Sequence, residues 1–257
     1  MTAKTYRDRA IVLRGYRLGE ADRIEVLLTE NSGQVRAVAK GVRRTTSKFG
    51  ARLQPFSVID AQLHRGRNLD TISQVETVAN YSGVLGADYG RFTAATLMAE
   101  TAERLTVEGE MTGQHYRLLY GALAALASGQ HPDVLTLTSY LLRAVATAGW
   151  APVLNRCVVC GKTAQEGANL SRFSISAGGA VCAGCGVGGA IASLATVTLT
   201  PETLGLSGEL LAGNWEAATD YSPEIAQRAL ALASDYTQWH IERRLKSLPM
   251  LEIQEIG

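Results

Sequence analysis

No stretch of this chain approaches the ~18 uninterrupted apolar residues of a membrane-spanning helix, so no span across a bilayer is expected. The opening residues, MTAKTYRDRA, lack the apolar centre of a secretory signal, which points to an intracellular protein. Catalytic signatures are missing as well. Neither HExxH nor GxSxG occurs. Gly161-Lys162-Thr163 resembles the end of a phosphate-binding loop, but Arg156 stands where that loop needs its first glycine. Gly184-x-Gly186-x-x-Gly189 matches the dinucleotide fingerprint in letters only, because no strand is expected before it and it overlaps a cysteine pair. His64, His115, His131 and His240 are scattered and pair with no evident acid or nucleophile, so they read as surface or packing residues. Nothing in the sequence marks an active site.

What is present is an ordinary globular composition, with 46 % hydrophobic and 19 % charged residues, which excludes wholesale disorder. A chain of 257 residues buries roughly 70–75 % of its unfolded surface and needs no staples. The net charge of +1 averages two unlike regions. Residues 1–82 carry 14 Lys and Arg against 8 Asp and Glu, whereas residues 83–257 carry 11 against 16. Within 36–67, Arg36, Lys40, Arg43, Arg44, Lys48, Arg52, Arg65 and Arg67 face a single acid, Asp60. A solvated face of a neutral protein can show such totals, but a basic lobe this segregated suits a polyanionic partner.

Five short β-rich runs fill the first 80 residues: 11–13, 24–28, 35–39, 56–63 and 69–78. Turn signals separate them, among them Asn31-Ser32-Gly33 and Arg65-Gly66-Arg67-Asn68. Five strands with no helix between them fit a small closed barrel of the OB type. Along 35–40 the period of two sends Val35, Ala37 and Ala39 to one face, and Arg36, Val38 and Lys40 to the other. The two cations then stand about 13–14 Å apart on the outer face. Phe49, in the basic loop that follows, reads either as a base-stacking ring or as a plug for the barrel, and the plug fits better.

From about residue 88 the period becomes 3.6. Ala94, Leu97, Met98, Thr101, Ala102 and Leu105 form one helical stripe, and Tyr116, Leu119, Tyr120, Leu123 and Leu126 form another that ends before Gly129. A third helix runs from Pro132 to Gly149. Thr200-Pro201-Glu202 and Ser222-Pro223-Glu224 each combine a capping hydroxyl, a first-turn proline and an acid. The last helix, expected over 223–246, has Ile225, Ala229, Leu232, Tyr236 and Trp239 as its stripe, and its aromatics read as core rather than as a stacking platform.

All four cysteines lie in two pairs, Cys157-Val-Val-Cys160 and Cys182-Ala-Gly-Cys185, separated by 21 residues and each followed by glycine. This is the spacing of a tetrahedral Zn²⁺ site, and four thiolates leave no open position, so such a site is structural rather than catalytic. Two disulfides suit a chain without an export signal poorly. A redox pair ordinarily uses one such motif, and ferredoxin-type iron–sulfur spacing differs.

Several stretches carry a resemblance. They are Gly19-Glu20-Ala21-Asp22-Arg23, Val38-Ala39-Lys40-Gly41-Val42-Arg43, Phe49-Gly50-Ala51-Arg52-Leu53-Gln54-Pro55-Phe56 and Arg65-Gly66-Arg67-Asn68-Leu69-Asp70-Thr71, joined by Asp88-Tyr89, Met98-Ala99-Glu100 and the first cysteine pair. With them the chain resembles the bacterial RecO family of recombination mediators, essentially end to end but thinning after about residue 190. Some members lack the cysteines, so the resemblance is to the metal-bearing branch. It implies an α+β protein: a DNA-binding OB-type barrel over 1–82, then a helical domain over 83–257 interrupted by a zinc-binding segment at 156–190. It further implies a non-enzymatic protein of the bacterial cytoplasm, associated with the nucleoid. Such a protein binds single- and double-stranded DNA, anneals strands without ATP, and partners RecR and the acidic tail of single-strand-binding protein, so helping RecA onto coated strands. The match at 35–41 carries Arg36 and Lys40 over as DNA contacts, while Arg43, Arg44, Lys48 and Arg52 are added on charge alone. An RNA- or ribosome-associated zinc-ribbon protein is the alternative that a basic barrel and four cysteines also allow.

Overall fold

A computed structural model describes residues 4–44, 47, 49–186 and 196–252. The first eighty residues form a closed barrel of β1 (Thr5–Leu18), β2 (Asp22–Thr29), β3 (Gln34–Ala39), β4 (Ser57–His64) and β5 (Asp70–Asn80), in the order β1-β2-β3-β5-β4. β1 pairs antiparallel with both β2 and β4, so it runs much longer than its apolar centre predicts. Closure comes from a short parallel contact, Ala37 opposite Asp70 and Val38 opposite Thr71. Alternate residues fill the interior, among them Ala10, Val12, Leu27, Val35, Ala37, Ala39, Ile59, Ala61, Leu63, Ile72 and Val75. The alanines keep the interior narrow enough for side chains alone to fill it.

Two strands are buried on both faces. Ile11, Leu13, Val26 and Leu28, which point away from the interior, are also covered. Hence 10–13 and 26–28 are unbroken apolar runs rather than alternating ones. Their cover is helical: α1 (Ser82–Gly86) leads into α2 (Tyr89–Leu105) and α3 (Gly113–Ser128), and α2 and α3 pack on β1. Asp88 caps α2 by accepting from the Arg91 N–H, and Gly129 closes α3 at φ 64°. The Pro55-Phe56 corner belongs to this packing. Phe56 sits at φ 68°, donates its N–H to the Val12 carbonyl at 2.9 Å, and sets its ring edge-on to Phe92 at 5.9 Å. Phe49 is partly buried against the barrel core, as a plug would be.

By compactness the chain divides between Gln130 and His131, not at the change from strand to helix. The described residues up to Gln130, with those from Lys246 onward, form one unit, and His131–Leu245 form the other. In the second unit α4 (Asp133–Thr147) comes first, with Pro132 at its N-cap. Then follow β6 (Leu170–Ser174), β7 (Gly179–Cys182), the short α5 (Ala183–Gly186) and β8 (Thr196–Thr198). α6 (Pro201–Ala212), α7 (Trp215–Ala218) and α8 (Pro223–His240) complete the unit, and α4, α6 and α8 pack on one another. Thr200 and Ser222 cap α6 and α8 as expected, each accepting from the N–H three residues on.

Two expectations are corrected here. The cysteine segment contains a sheet, in the order β7-β6-β8, that reading 156–190 for its metal pattern alone did not anticipate. The last helix stops at His240, because Glu242 takes φ 51° and turns the chain; Trp239 is consequently not core but 56 % exposed. After the turn, α9 (Leu248–Glu252) lies in the first unit, where the Glu100 carboxylate accepts from Lys246 N, Ser247 N and Ser247 Oγ at 2.6–3.0 Å.

Candidate nucleic-acid face and metal centre

β3 does what its alternation predicts. Val35, Ala37 and Ala39 are buried inside the barrel, while Arg36 and Lys40 are exposed outside. The two stretches either side of Lys40 form one structure. Asp22 accepts from the Gly41 N–H at 2.7 Å, and the Arg43 N–H donates to the Ala21 carbonyl at 3.0 Å. The Arg43 guanidinium donates to the Gly19 and Glu20 carbonyls at 3.2 and 2.9 Å. Those acceptors are neutral, so they set the position of Arg43 without neutralising its charge. Arg44 is exposed in the turn closed by its own N–H to Gly41 O at 3.1 Å. Arg52 is exposed in the 3₁₀ turn Gly50–Leu53 and reaches the Val75 carbonyl at 3.4 Å. Lys48 lies outside the described residues.

Charge is not spread evenly around the barrel. On β1, Arg7 is neutralised by Asp60 at 2.7 Å and Glu76 at 2.8 Å. On β3, Arg36 meets one acid, Glu108, at 3.0 Å, and both side chains are half-exposed. Glu108 belongs to the connection between α2 and α3, which bridges to Gly33 and Gln34 at the β2–β3 turn. The approach is close enough to require glycine at 33: a Cβ there would lie 2.1 Å from the Glu110 carbonyl. Sequence reading missed this acid because it is 72 positions from Arg36. Arg65 and Arg67, counted in the basic cluster but not singled out, are exposed in the turn before β5. Arg65 rests over the Tyr6 ring at 4.5 Å, and Tyr6 donates to Asp70 at 2.5 Å.

β2 also carries a buried carboxylate. Glu25 is fully enclosed, and its nearest cation is Arg23 at 3.2 Å. Burial pushes its carboxyl up to about 7, and Arg23 offsets this only in part.

In the second unit the four cysteines converge, with all Sγ atoms within 4.8 Å of one another. Cys160 and Cys182 are 3.9 Å apart, against about 3.8 Å for the edge of a tetrahedron with ~2.3 Å metal–sulfur bonds. The first pair is shaped by a tight turn in which Gly161, at φ 75°, donates to the Cys157 carbonyl at 2.9 Å. Cys182 and Cys185 come from the end of β7 and from α5. Burial raises the Cys157 thiol, but N–H groups of Cys160, Cys182 and Val159 outweigh it and bring it down to about 6. Hydrogen bonds to the sulfurs of Cys182 and Cys160, with burial and Cys157 adding to them, push Cys185 up to about 12, and a bound cation would favour its thiolate instead. Such a donor set fits a metal ion.

His64 is exposed and bonds to the Thr5 hydroxyl at 2.7 Å, and the other histidines take packing roles. His131 stacks on Trp215 at 4.0 Å, His240 on Trp150 at 4.8 Å, and His115 is buried. Among the described residues no helix is long and apolar enough to cross a membrane.

Comparison with known proteins covers nearly the whole chain. The family model described as recombination protein O, N terminal, matches residues 1–81, and the corresponding C-terminal model matches residues 86–249. The DNA repair protein RecO of Nocardioides sp. is 49 % identical over 248 residues, which cover 96 % of this chain and 99 % of that protein.

Proposed function

The chain belongs to the recombination protein O family, and on that premise we propose that it is a non-enzymatic mediator of recombinational DNA repair. In this reading it binds single- and double-stranded DNA through the outer face of its barrel, anneals complementary strands without ATP, and acts with RecR to bring RecA onto strands coated by single-strand-binding protein. The observation that carries it is the exposure of Arg36 on a strand whose other face fills the barrel, with Lys40 exposed just past that strand's end. Cations on a smooth strand face meet phosphates without reading base edges, so binding is strong at low salt and indifferent to sequence. Neutralising two polyanions also lowers the repulsion that opposes their annealing. Arg43, Arg44, Lys48 and Arg52 extend the contact by their charge.

The four cysteines hold one structural Zn²⁺ per chain in this reading. Their thiolates complete its shell, so it supplies folding energy and no reaction. Nothing in either half calls for a nucleotide, and annealing proceeds without one.

The deciding experiment competes labelled single-stranded DNA against structured RNA. Preference for DNA, with log K falling against log salt at a slope near −3 for about four neutralised phosphates, supports the reading. Tighter binding of the RNA overturns it in favour of an RNA- or ribosome-associated protein.

A further inference from the structure

The last two-thirds of the chain are acidic on balance, yet residues 239–244 read Trp-His-Ile-Glu-Arg-Arg. In the structure this run ends α8 and folds back. The Glu242 N–H donates to the Trp239 carbonyl at 3.2 Å, and Leu245, itself buried, donates its N–H to Gln238 Oε1 at 3.2 Å. Arg243 and Arg244 are thereby held exposed beside the helix end. Trp239 is 56 % exposed and Trp150 is 40 % exposed.

Trp150 is rigidly backed. It stacks on His240 at 4.8 Å and 11°, His240 sits edge-on to Tyr236 at 4.5 Å, and Tyr236 sits edge-on to buried Phe173 at 5.5 Å. Isolated apolar side chains at a surface are ordinary. Two indoles at one end of one helix, with two exposed guanidiniums in the adjoining turn, are a different matter. Their natural complement offers flat π faces and negative charge together. An unpaired nucleic-acid strand does so, whereas a duplex hides its base faces.

We propose that this end of α8 is a second contact for single-stranded DNA, in which Trp239 and Trp150 take base faces and Arg243 and Arg244 take the adjoining phosphates. Glu242 and the exposed Asp235 limit the local positive charge, so stacking carries more of the contact here than on the barrel. The proposal rests on the reading that the chain binds single-stranded DNA, and it adds a site that the barrel does not contain.

The test titrates the full-length protein with a short oligothymidylate and follows both affinity and indole emission. The three tryptophans are Trp150, Trp215 and Trp239. The oligonucleotide should quench emission in the wild type, and Trp239→Phe and Trp150→Phe should each remove a substantial share of that quenching, while Trp215→Phe should leave it in place. Trp239→Ala should weaken binding about five-fold or more, the loss of one stacked base. Arg243→Ala with Arg244→Ala should flatten the salt slope by about 1.4, at ~0.7 per phosphate. Trp150, Trp239, Arg243 and Arg244 are exposed, and an unchanged melting curve confirms that the fold is intact. Wild-type affinity, slope and quenching in their variants overturn the proposal. So does quenching by an acidic peptide but not by oligothymidylate, which assigns the surface to a protein partner. Loss of binding in Arg36→Ala/Lys40→Ala with no emission change in the wild type overturns this proposal and leaves the barrel reading standing. A wild type that binds no oligothymidylate overturns both.

Discussion

The barrel and the cysteine segment are both small β structures, and they are held by different physics. The barrel pairs each of its strands on both sides, and its interior is filled by aliphatic side chains, so burial alone supports it. In the cysteine segment β6, β7 and β8 have five, four and three residues, and the outer strands are each paired on one side only within the sheet. So little sheet is marginal by itself. What it has instead is four sulfurs gathered within 4.8 Å of one another, a donor set that a metal ion would join, adding its binding energy to the fold. One region is stable because of what it excludes, whereas the other gathers the donors that a bound ion would hold together.

The sharpest way to break this contrast is to remove the metal. Changing Cys157 and Cys160 to Ser should abolish zinc binding, measured by metal analysis. The apparent folding energy of a structural zinc site is on the order of 10 kcal/mol, so residues 156–186 should become protease-sensitive. Barrel melting and most DNA affinity should survive. Purified protein that contains iron, or two disulfides and no metal, would defeat the zinc assignment. A soluble, metal-free variant that no longer binds DNA would show that the segment belongs to the DNA site.

The next effect is confined to the barrel and depends on pH. The Glu25 carboxyl is raised from its ordinary 4.5 to about 7, so the folded chain keeps a proton that the unfolded chain has lost. Stability from this group is therefore greatest below about 4.5, falls as pH rises toward about 7, and is level beyond. Glu25→Gln should stabilise the protein by about 1–3 kcal/mol at pH 8 and hardly at all at pH 4 in urea melts. Equal effects at both pH values would mean that folding does not raise the Glu25 carboxyl.

Arg36→Ala with Lys40→Ala should weaken single-stranded DNA binding several-fold and flatten the salt slope by about 1.4, with the melting curve unchanged. An unchanged slope would place the DNA face elsewhere. The smallest effect concerns the acid that competes for Arg36. Because the pair is half-exposed, Glu108→Gln should tighten DNA binding only about two-fold at low salt, and the gain should vanish at high salt. Weaker binding in that variant would mean that Glu108 positions Arg36 instead of occupying it.

Much of this was legible in the residues. The five strands, the caps at Thr200 and Ser222, the outward Arg36 and Lys40 and the gathering of four cysteines follow from periods of two and 3.6 and from ligand spacing, which are local properties of a chain. The length of β1 was not legible, because a strand extends as far as its partners do, and one of those partners is β4, some fifty residues away. Nor was Trp239. A helical stripe shows which residues share a face, but whether a neighbour covers that face is settled by the turn at Glu242.

By itself, then, the sequence determined the order of parts, the inner and outer faces of β3, the basic balance of the barrel and the four clustered cysteines. The tertiary structure decided which faces are covered: Ile11 and Leu13 sealed by helices, Phe173 against Tyr236, and Trp239 left open. It also decided which charges meet, as Arg36 and Glu108 do. The physical reason is that periodicity acts between neighbours in sequence, whereas burial and ion pairing act between neighbours in space, and only the closed chain says which residues those are.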